Sequence, residues 1–299
     1  MGGKNSKRKL HAHHKHQHIQ HLVPFLDVEV NIDRDDRCSF SGITCMNGGK
    51  IVVADYLGHH VKYYDWKMLK LLDYVDTTTP PYEVCSSAVN ETDVFVTLPF
   101  ESKIYHFQLK ENKLVLLKEI PTEGMCYGIG SFVDGLAVSL RIDKHIWQIE
   151  ILDYQGSVQK VFKDDDDGKE LFGFADYITV DTQGQRLIVS DGLKGVVVCF
   201  DLKHSTMTSI KEIYRYMCSH LQIPKGLSLD NLGNLFIVGC ESSNVHKVSC
   251  DGERIGVVLG KKDQLENPMG IVYDSSENKV FVTEGSRRVM IFKDRSTNS

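Results

Sequence analysis

The chain has 299 residues, 41% of them hydrophobic and 25% charged, and a formal net charge of −5. That balance is ordinary for a folded globular protein, and no apolar run approaches the ~18 residues of a membrane-spanning helix. The eight cysteines form no C-x-x-C pair and are spread along the chain, which excludes zinc-finger or RING spacing and favours reduced thiols over a disulfide framework.

In chain order, residues 1–23 come first, as a polar, low-complexity tail expected to be disordered. It carries Lys4, Lys7, Arg8, Lys9 and Lys15, six histidines and no acid. "MGGKNS" fits an N-myristoylation acceptor with Gly2 as the modified residue and Ser6 in place. The neighbouring Lys7, Arg8 and Lys9 would supply the second membrane signal that one acyl chain needs. Membrane association is therefore expected only if Gly2 is acylated. Otherwise the absence of an apolar signal segment points to the cytoplasm. The histidines offer Zn or Ni ligands without a fixed geometry, and the basic cluster a nuclear or nucleic-acid patch.

Residues 24–32, "PFLDVEVNI", belong to no repeat, and "DVEVNI" alternates as an edge strand should. Six similar units follow, at 41–65, 82–108, 127–150, 176–201, 225–252 and 269–294. Their apolar anchors are Ile43, Val84, Ile129, Ile178, Leu227 and Ile271, spaced 41–49 residues apart. That period suits a four-stranded propeller blade. Each unit opens on a short apolar strand, often led by glycine (Gly42, Gly128, Gly226, Gly270). A turn rich in Asp, Asn and Gly follows, such as "DNLGN". The second strands "IVVA", "VFVT", "LAVS", "LIVS", "LFIV" and "VFVT" lack polar alternation, so burial on both faces is expected. A third strand such as "VMIFKD" and a more polar fourth such as "KLVLLKEI" complete the unit. The last unit has room for only three strands. Pairing of "DVEVNI" with "VMIFK" (289–293) would supply the fourth, close the ring and remove an open edge. The expected architecture is all-β: a six-bladed propeller over 24–295, closed by an N-terminal strand in the last blade, with a tail at 296–299. The linker at 203–223 is read as an outer strand or short helix, and "DDDD" (164–167) as a solvated loop.

"MGIVYDSSENKVFVTEGSRRVMIFKD" and "KGLSLDNLGNLFIVGCESSNVHKVSCDGE" fit G-I-x-x-D-x-x-G-x-[LI]-x-V-[AST]-[DE], a turn, then V-x-[VI]-[FY]-D. This resembles the NHL repeat, and the chain resembles the C-terminal propellers of tripartite-motif (TRIM) NHL proteins. The units at 82–108 and 127–150 are degenerate versions. The resemblance implies substrate-protein or RNA recognition in a ubiquitin-ligase setting. In that family a RING and a B-box bind zinc and supply the ligase chemistry. This chain carries neither, so ligase activity would need a RING-bearing partner or isoform.

In a four-stranded antiparallel blade the second-to-third-strand loops and the loops entering the first strands share one face. That face carries Arg141, Lys144, His145, Lys194, Arg287 and Arg288. Ser41, Tyr82, Tyr127, Asp176, Lys225 and Met269 stand at equivalent positions around its centre. Tyr82 and Tyr127 are candidates to stack on bases or to anchor a peptide. The tail holds five of the 35 basic residues and none of the 40 acidic ones, which leaves the remainder at −10. That charge disfavours phosphate binding, although a local patch can override it. A protein or peptide ligand is therefore expected ahead of RNA.

A third class is a metal-dependent propeller enzyme similar to calcium lactonases or amidating lyases. "VSDG" (189–192) is similar to a lactonase motif, but Asp191 also fits the repeat position shared by Asp55 and Glu284. Channel-facing positions are expected to be mostly apolar, small or aromatic, a poor donor set for a hard cation. No cofactor and no catalytic group are expected.

Overall fold

The computed structural model describes residues 22–29, 38–165, 167–286 and 288–294. Six antiparallel four-stranded sheets make up a six-bladed β-propeller. Blade 1 contains β2 (Phe40–Met46), β3 (Lys50–Asp55), β4 (His60–Asp65) and β5 (Lys70–Asp76). Blade 2 contains β6 (Val84–Ser86), β7 (Asp93–Leu98), β8 (Lys103–Lys110) and β9 (Lys113–Pro121). Blade 3 is β10 (Met125–Phe132), β11 (Gly135–Arg141), β12 (Trp147–Leu152) and β13 (Val158–Phe162). Blade 4 is β14 (Tyr177–Val180), β15 (Arg186–Asp191), β16 (Val196–Asp201) and β17 (Lys211–Tyr216). Blade 5 is β18 (Pro224–Leu229), β19 (Leu235–Gly239), β20 (Asn244–Val248) and β21 (Arg254–Leu259).

The sixth blade takes β22 (Pro268–Asp274), β23 (Lys279–Glu284) and β24 (Arg288–Lys293) from the end of the chain, and β1 (Val23–Glu29) from its beginning. The two ends pair antiparallel from Val23↔Lys293 to Glu29↔Arg288. The strand begins earlier than "DVEVNI" suggests, but Asp27 and Val28 do lie opposite Met290 and Val289. The Gly2 acceptor, the histidine-rich tail before Leu22, and residues 30–37 lie outside the described residues, as do Asp166, Arg287 and 295–299.

Second strands are buried along nearly their whole length, β7, β19 and β23 completely. Fourth strands such as β9 and β17 are largely exposed. The core divides into six apolar clusters, each lying between two neighbouring blades. The seam is one of them: Phe281, Val289 and Ile291 of blade 6 pack with Phe40, Ile51 and Trp66 of blade 1. The closing interface is therefore packed like the others, which is what makes a ring rather than an open array.

The repeat's polar positions have structural work of their own. The hydroxyl at the end of the second strand accepts an inner-strand N–H: Thr97 from Glu83 at 3.0 Å, Ser139 from Gly128 at 2.8 Å, Thr283 from Gly270 at 2.8 Å. The acidic residue that follows ties together the loops of one face. Asp55 accepts the N–H groups of Ser39 and Gly58, Asp191 those of Gly173, Phe174 and Lys194, and Glu284 that of Glu266. On the other face, Asp residues cap the turns, as where Asp230 accepts from the N–H groups of Leu232 and Asn234. The 203–223 linker contributes β17 as an outer strand. In the acidic run, Asp165 caps its own loop through the N–H groups of Asp167 and Lys169. All eight cysteines are free thiols.

Candidate functional site

Six inner strands converge on the axis, and glycine lets them approach closely. A Cβ on Gly226 would lie 2.6 Å from the Met269 carbonyl oxygen and 2.9 Å from Gly270 Cα. A Cβ on Gly128 would lie 2.9 Å from the Ile178 nitrogen. Blades 1, 3, 5 and 6 all carry glycine immediately before the anchor residue. Blades 2 and 4 carry Glu83 and Tyr177 there, and these two fill the axis.

They join the ring of residues one position earlier to form a plug. The Tyr82 hydroxyl donates to Asp176 Oδ2 at 2.7 Å, and Lys225 Nζ meets the same oxygen at 3.0 Å. The Tyr177 hydroxyl crosses to blade 1 and donates to the Ser41 carbonyl at 2.9 Å. Lys225 also lies over the Tyr177 ring, 5.4 Å from its centroid. Tyr82 packs edge-on against Tyr127 at 5.0 Å, Tyr127 against Trp147 at 5.2 Å, and Trp147 against Phe174 at 4.9 Å. The network links blades 1, 2, 4 and 5 across the axis rather than around it. Burial raises the pKa of both the Tyr82 and Tyr177 hydroxyls well above their usual range. Asp176 is 1% exposed, and its Oδ1 has no hydrogen-bond partner. Burial raises its carboxyl as well, against the pull of Lys225 and Tyr82. Glu83 is raised further, by burial first and then by the Asp176 charge.

The expectation of a mostly apolar channel is thus corrected: Glu83, Asp176 and Lys225 put three ionisable groups on the axis. Sequence reading had placed Asp176 and Lys225 in the ring but missed Glu83. The signal was there, in a large acidic side chain at a position that is glycine in four of the six blades.

The candidate binding residues fall into three groups. Tyr82 and Tyr127 are 8% and 9% exposed and belong to the plug, so neither ring offers a free face for stacking. Lys225 is committed to Asp176. Arg141 is half-buried with its guanidinium over the Tyr127 ring. Lys194 folds back to donate to the Leu171 carbonyl at 2.9 Å, with Asp191 at 3.9 Å. Arg288 meets Glu284 at 3.5 Å. Lys144 and His145 are exposed at the tip of the β11–β12 loop. Arg287 lies outside the described residues. The face is therefore less basic than a count of its cations suggests, because acids in the same loops pair with several of them.

The same face presents apolar side chains to solvent. Leu193 is 76% exposed and Phe174 37% exposed. They stand on either side of Gly192, whose N–H bonds to the Phe174 carbonyl at 3.1 Å. A Cβ on Gly192 would lie 3.6 Å from Ile223 Cγ2 and 3.8 Å from Phe174 Cδ1. Ile223 has φ +49°, left-handed backbone that a β-branched residue before proline rarely adopts. Leu57, Phe100 and Met217 are exposed on further loops of this face.

The opposite face is open. A cavity of about 640 Å³ enters along the axis between the first-to-second-strand turns and ends at Glu83. Among the described residues, no group of three or more His, Cys, Asp or Glu side chains is gathered as a metal site.

These features define a six-bladed β-propeller plugged on one face and open on the other. Solved structures resemble it in overall fold. One is a luciferin-regenerating enzyme, with a TM-score of 0.68 at 12% identity over 86% of this chain and 92% of that one. Another is the Cps50 (Swd1) β-propeller domain of Myceliophteria thermophila, with a TM-score of 0.61 at 13% identity over 85% of this chain and 82% of that one. At such identities the likeness shows the fold alone. No protein-family model and no curated protein sequence matches the chain.

Proposed function

We propose that the protein is a non-catalytic recognition module whose plugged face docks a protein partner. The observation that carries this reading is the apolar patch of Phe174, Leu193 and Ile223. Its Phe174 ring lies against the buried Trp147, and the same face carries the exposed Lys144 and His145 and has its axial opening closed. A closed surface with aromatic and aliphatic anchors and polar residues on the same face is what protein docking uses. The transannular bonds of the plug hold that surface rigid, which lowers the ordering cost of binding.

The finer reading rests on the NHL-like repeats: the partner is a substrate brought to a ubiquitin ligase whose RING is supplied by another chain or isoform. RNA is the competing ligand. Its phosphates need free cations, and Lys225, Lys194 and Arg288 are all paired. Affinity capture with wild type, Phe174→Asp/Leu193→Asp and the opposite-face control Leu232→Asp tests the reading. The partner should be lost from the double variant, be retained by the control and survive nuclease treatment. Loss on nuclease treatment, with a steep salt dependence, would assign the face to RNA. Equal capture by all three proteins would refute the docking face.

A further inference from the structure

The axial cavity lies on the face opposite the docking patch and plays no part in that reading. Its lining includes four acids, Glu83, Asp181, Asp230 and Asp274, and a single base, Arg186. Three of the acids are in use. Asp181 holds Arg186 at 3.2 Å, Asp230 holds Lys247 at 2.9 Å, and Asp274 accepts from the Ser276 N–H at 2.9 Å. Glu83 is different. It is 9% exposed and lines the cavity, and among the described residues its carboxylate accepts one hydrogen bond, from the Val84 N–H to Oε1 at 3.2 Å. The nearby base, Lys225, is taken by Asp176, whose own Oδ1 still lacks a donor. Two buried acids have one half-buried base between them, and the acid left over faces the open cavity.

We propose that this cavity binds a cationic ligand, a primary ammonium or guanidinium on an aliphatic stem, with its charged head against the Glu83 carboxylate. The walls suit the stem. Ile43, Val84, Ile129, Ile178, Leu227 and Ile271, one from each blade, line the space and can cover methylene groups, as apolar surfaces do for lysine and arginine stems. The head suits the floor. Burial first, and then the Asp176 charge, raises the Glu83 carboxyl in the empty cavity, so a bound cation would favour its carboxylate form. A guanidinium arriving there stabilises the carboxylate, any proton it displaces leaves to solvent, and a charge-assisted hydrogen bond is added to a side chain that otherwise accepts from the Val84 N–H. The uncompensated negative charge of the lining also draws cations toward the mouth.

A free amine and a basic side chain of a peptide share this chemistry, so the test carries both. Calorimetry on the full chain at pH 7 uses agmatine, the capped tripeptide Ac-Gly-Arg-Gly-amide, and the same tripeptide with neutral citrulline in place of arginine. At least one guanidinium ligand should bind. The citrulline peptide should bind about tenfold or more weakly than any arginine peptide that binds. Glu83→Gln should lose about tenfold in affinity, and Lys144→Glu, on the far face, none. The heat should differ between phosphate and Tris buffers, reporting proton release. Binding by agmatine alone would assign a free small cation, and tighter binding of the peptide a side chain. No heat from either guanidinium at millimolar concentration, equal binding of the citrulline and arginine peptides, or unchanged affinity in Glu83→Gln would overturn the proposal. The citrulline comparison uses wild type and so stands even if the Glu83 variant folds poorly.

Discussion

Lys225→Met tests the plug. The substitution keeps a flexible side chain of similar length but removes the ammonium that meets Asp176 at 3.0 Å. Asp176 then keeps only the Tyr82 hydroxyl, at 2.7 Å, in a site where it is 1% exposed. Breaking a buried pair from one side costs ~3–5 kcal/mol. The Lys225 side chain is 14% exposed and Asp176 can take up a proton, so the lower end, ~3 kcal/mol, is expected. For a domain of this size that corresponds to a fall of about 6 °C in melting temperature. The sign with pH follows. The Asp176 carboxyl is already raised in the folded state, and losing Lys225 raises it further. The folded variant therefore binds more protons than the unfolded chain, and its deficit should shrink as the pH falls toward 4. Differential scanning calorimetry between pH 4 and 8 measures both effects. Asp176→Asn combined with Lys225→Met should recover most of the loss, because the buried charge is gone. A Lys225→Met protein as stable as wild type at pH 8, or a double variant worse than the single, would refute the cross-axis pair.

The buried His246 makes a second pH test. Its ring is fully buried, with Nδ1 2.7 Å from the Tyr216 hydroxyl and Nε2 unpartnered; burial first, and then the Arg254 charge, lowers its pKa to about 4. The folded state favours the neutral ring, so this contribution is complete above the unfolded value of about 6.5 and is lost as the pH falls toward 4, by about 3 kcal/mol. His246→Gln should flatten the melting-temperature profile over that window. Glu83 has the opposite sign: its raised carboxyl makes wild-type stability fall as the pH rises above about 4.5, and Glu83→Gln should show a shallower decline in the same scan. Gly226→Ala should cost at least ~2 kcal/mol, since its Cβ meets only backbone atoms of blade 6. Gly192→Ala, with no neighbour nearer than 3.6 Å, should change stability little; equal effects at the two glycines would contradict the close packing of the inner strands.

The blade count was legible because two independent signals repeat together: the anchor spacing and the unbroken apolar second strands. The closing strand was legible from a shortage in the last unit and from alternation at 27–30, although hydrogen bonding extends it back to Val23. The ring of Ser41, Tyr82, Tyr127, Asp176, Lys225 and Met269 was found by alignment, but its burial was not. Whether a side chain at that position meets solvent depends on how closely six inner strands approach. The glycines at the next position control that approach, and its tightness shows only in three dimensions. The pairing of Lys194 with Asp191 and of Arg288 with Glu284 was hidden for a related reason. The acids belong to a repeat position that reads as a turn former, and only the folded loops bring cations to it. Phe174 and Ile223 sit outside the quoted repeat units, in connecting loops that periodicity does not reach.

The central claim is that the plugged face, not the open one, meets the protein partner. Photo-cross-linking tests it most directly, with a benzoylphenylalanine placed at Leu193 on the plugged face or at Leu232 on the open face. The account predicts one protein species cross-linked from Leu193 and absent from Leu232. The same species from Leu232, or none from Leu193 while the untagged protein still captures its partner, would contradict it.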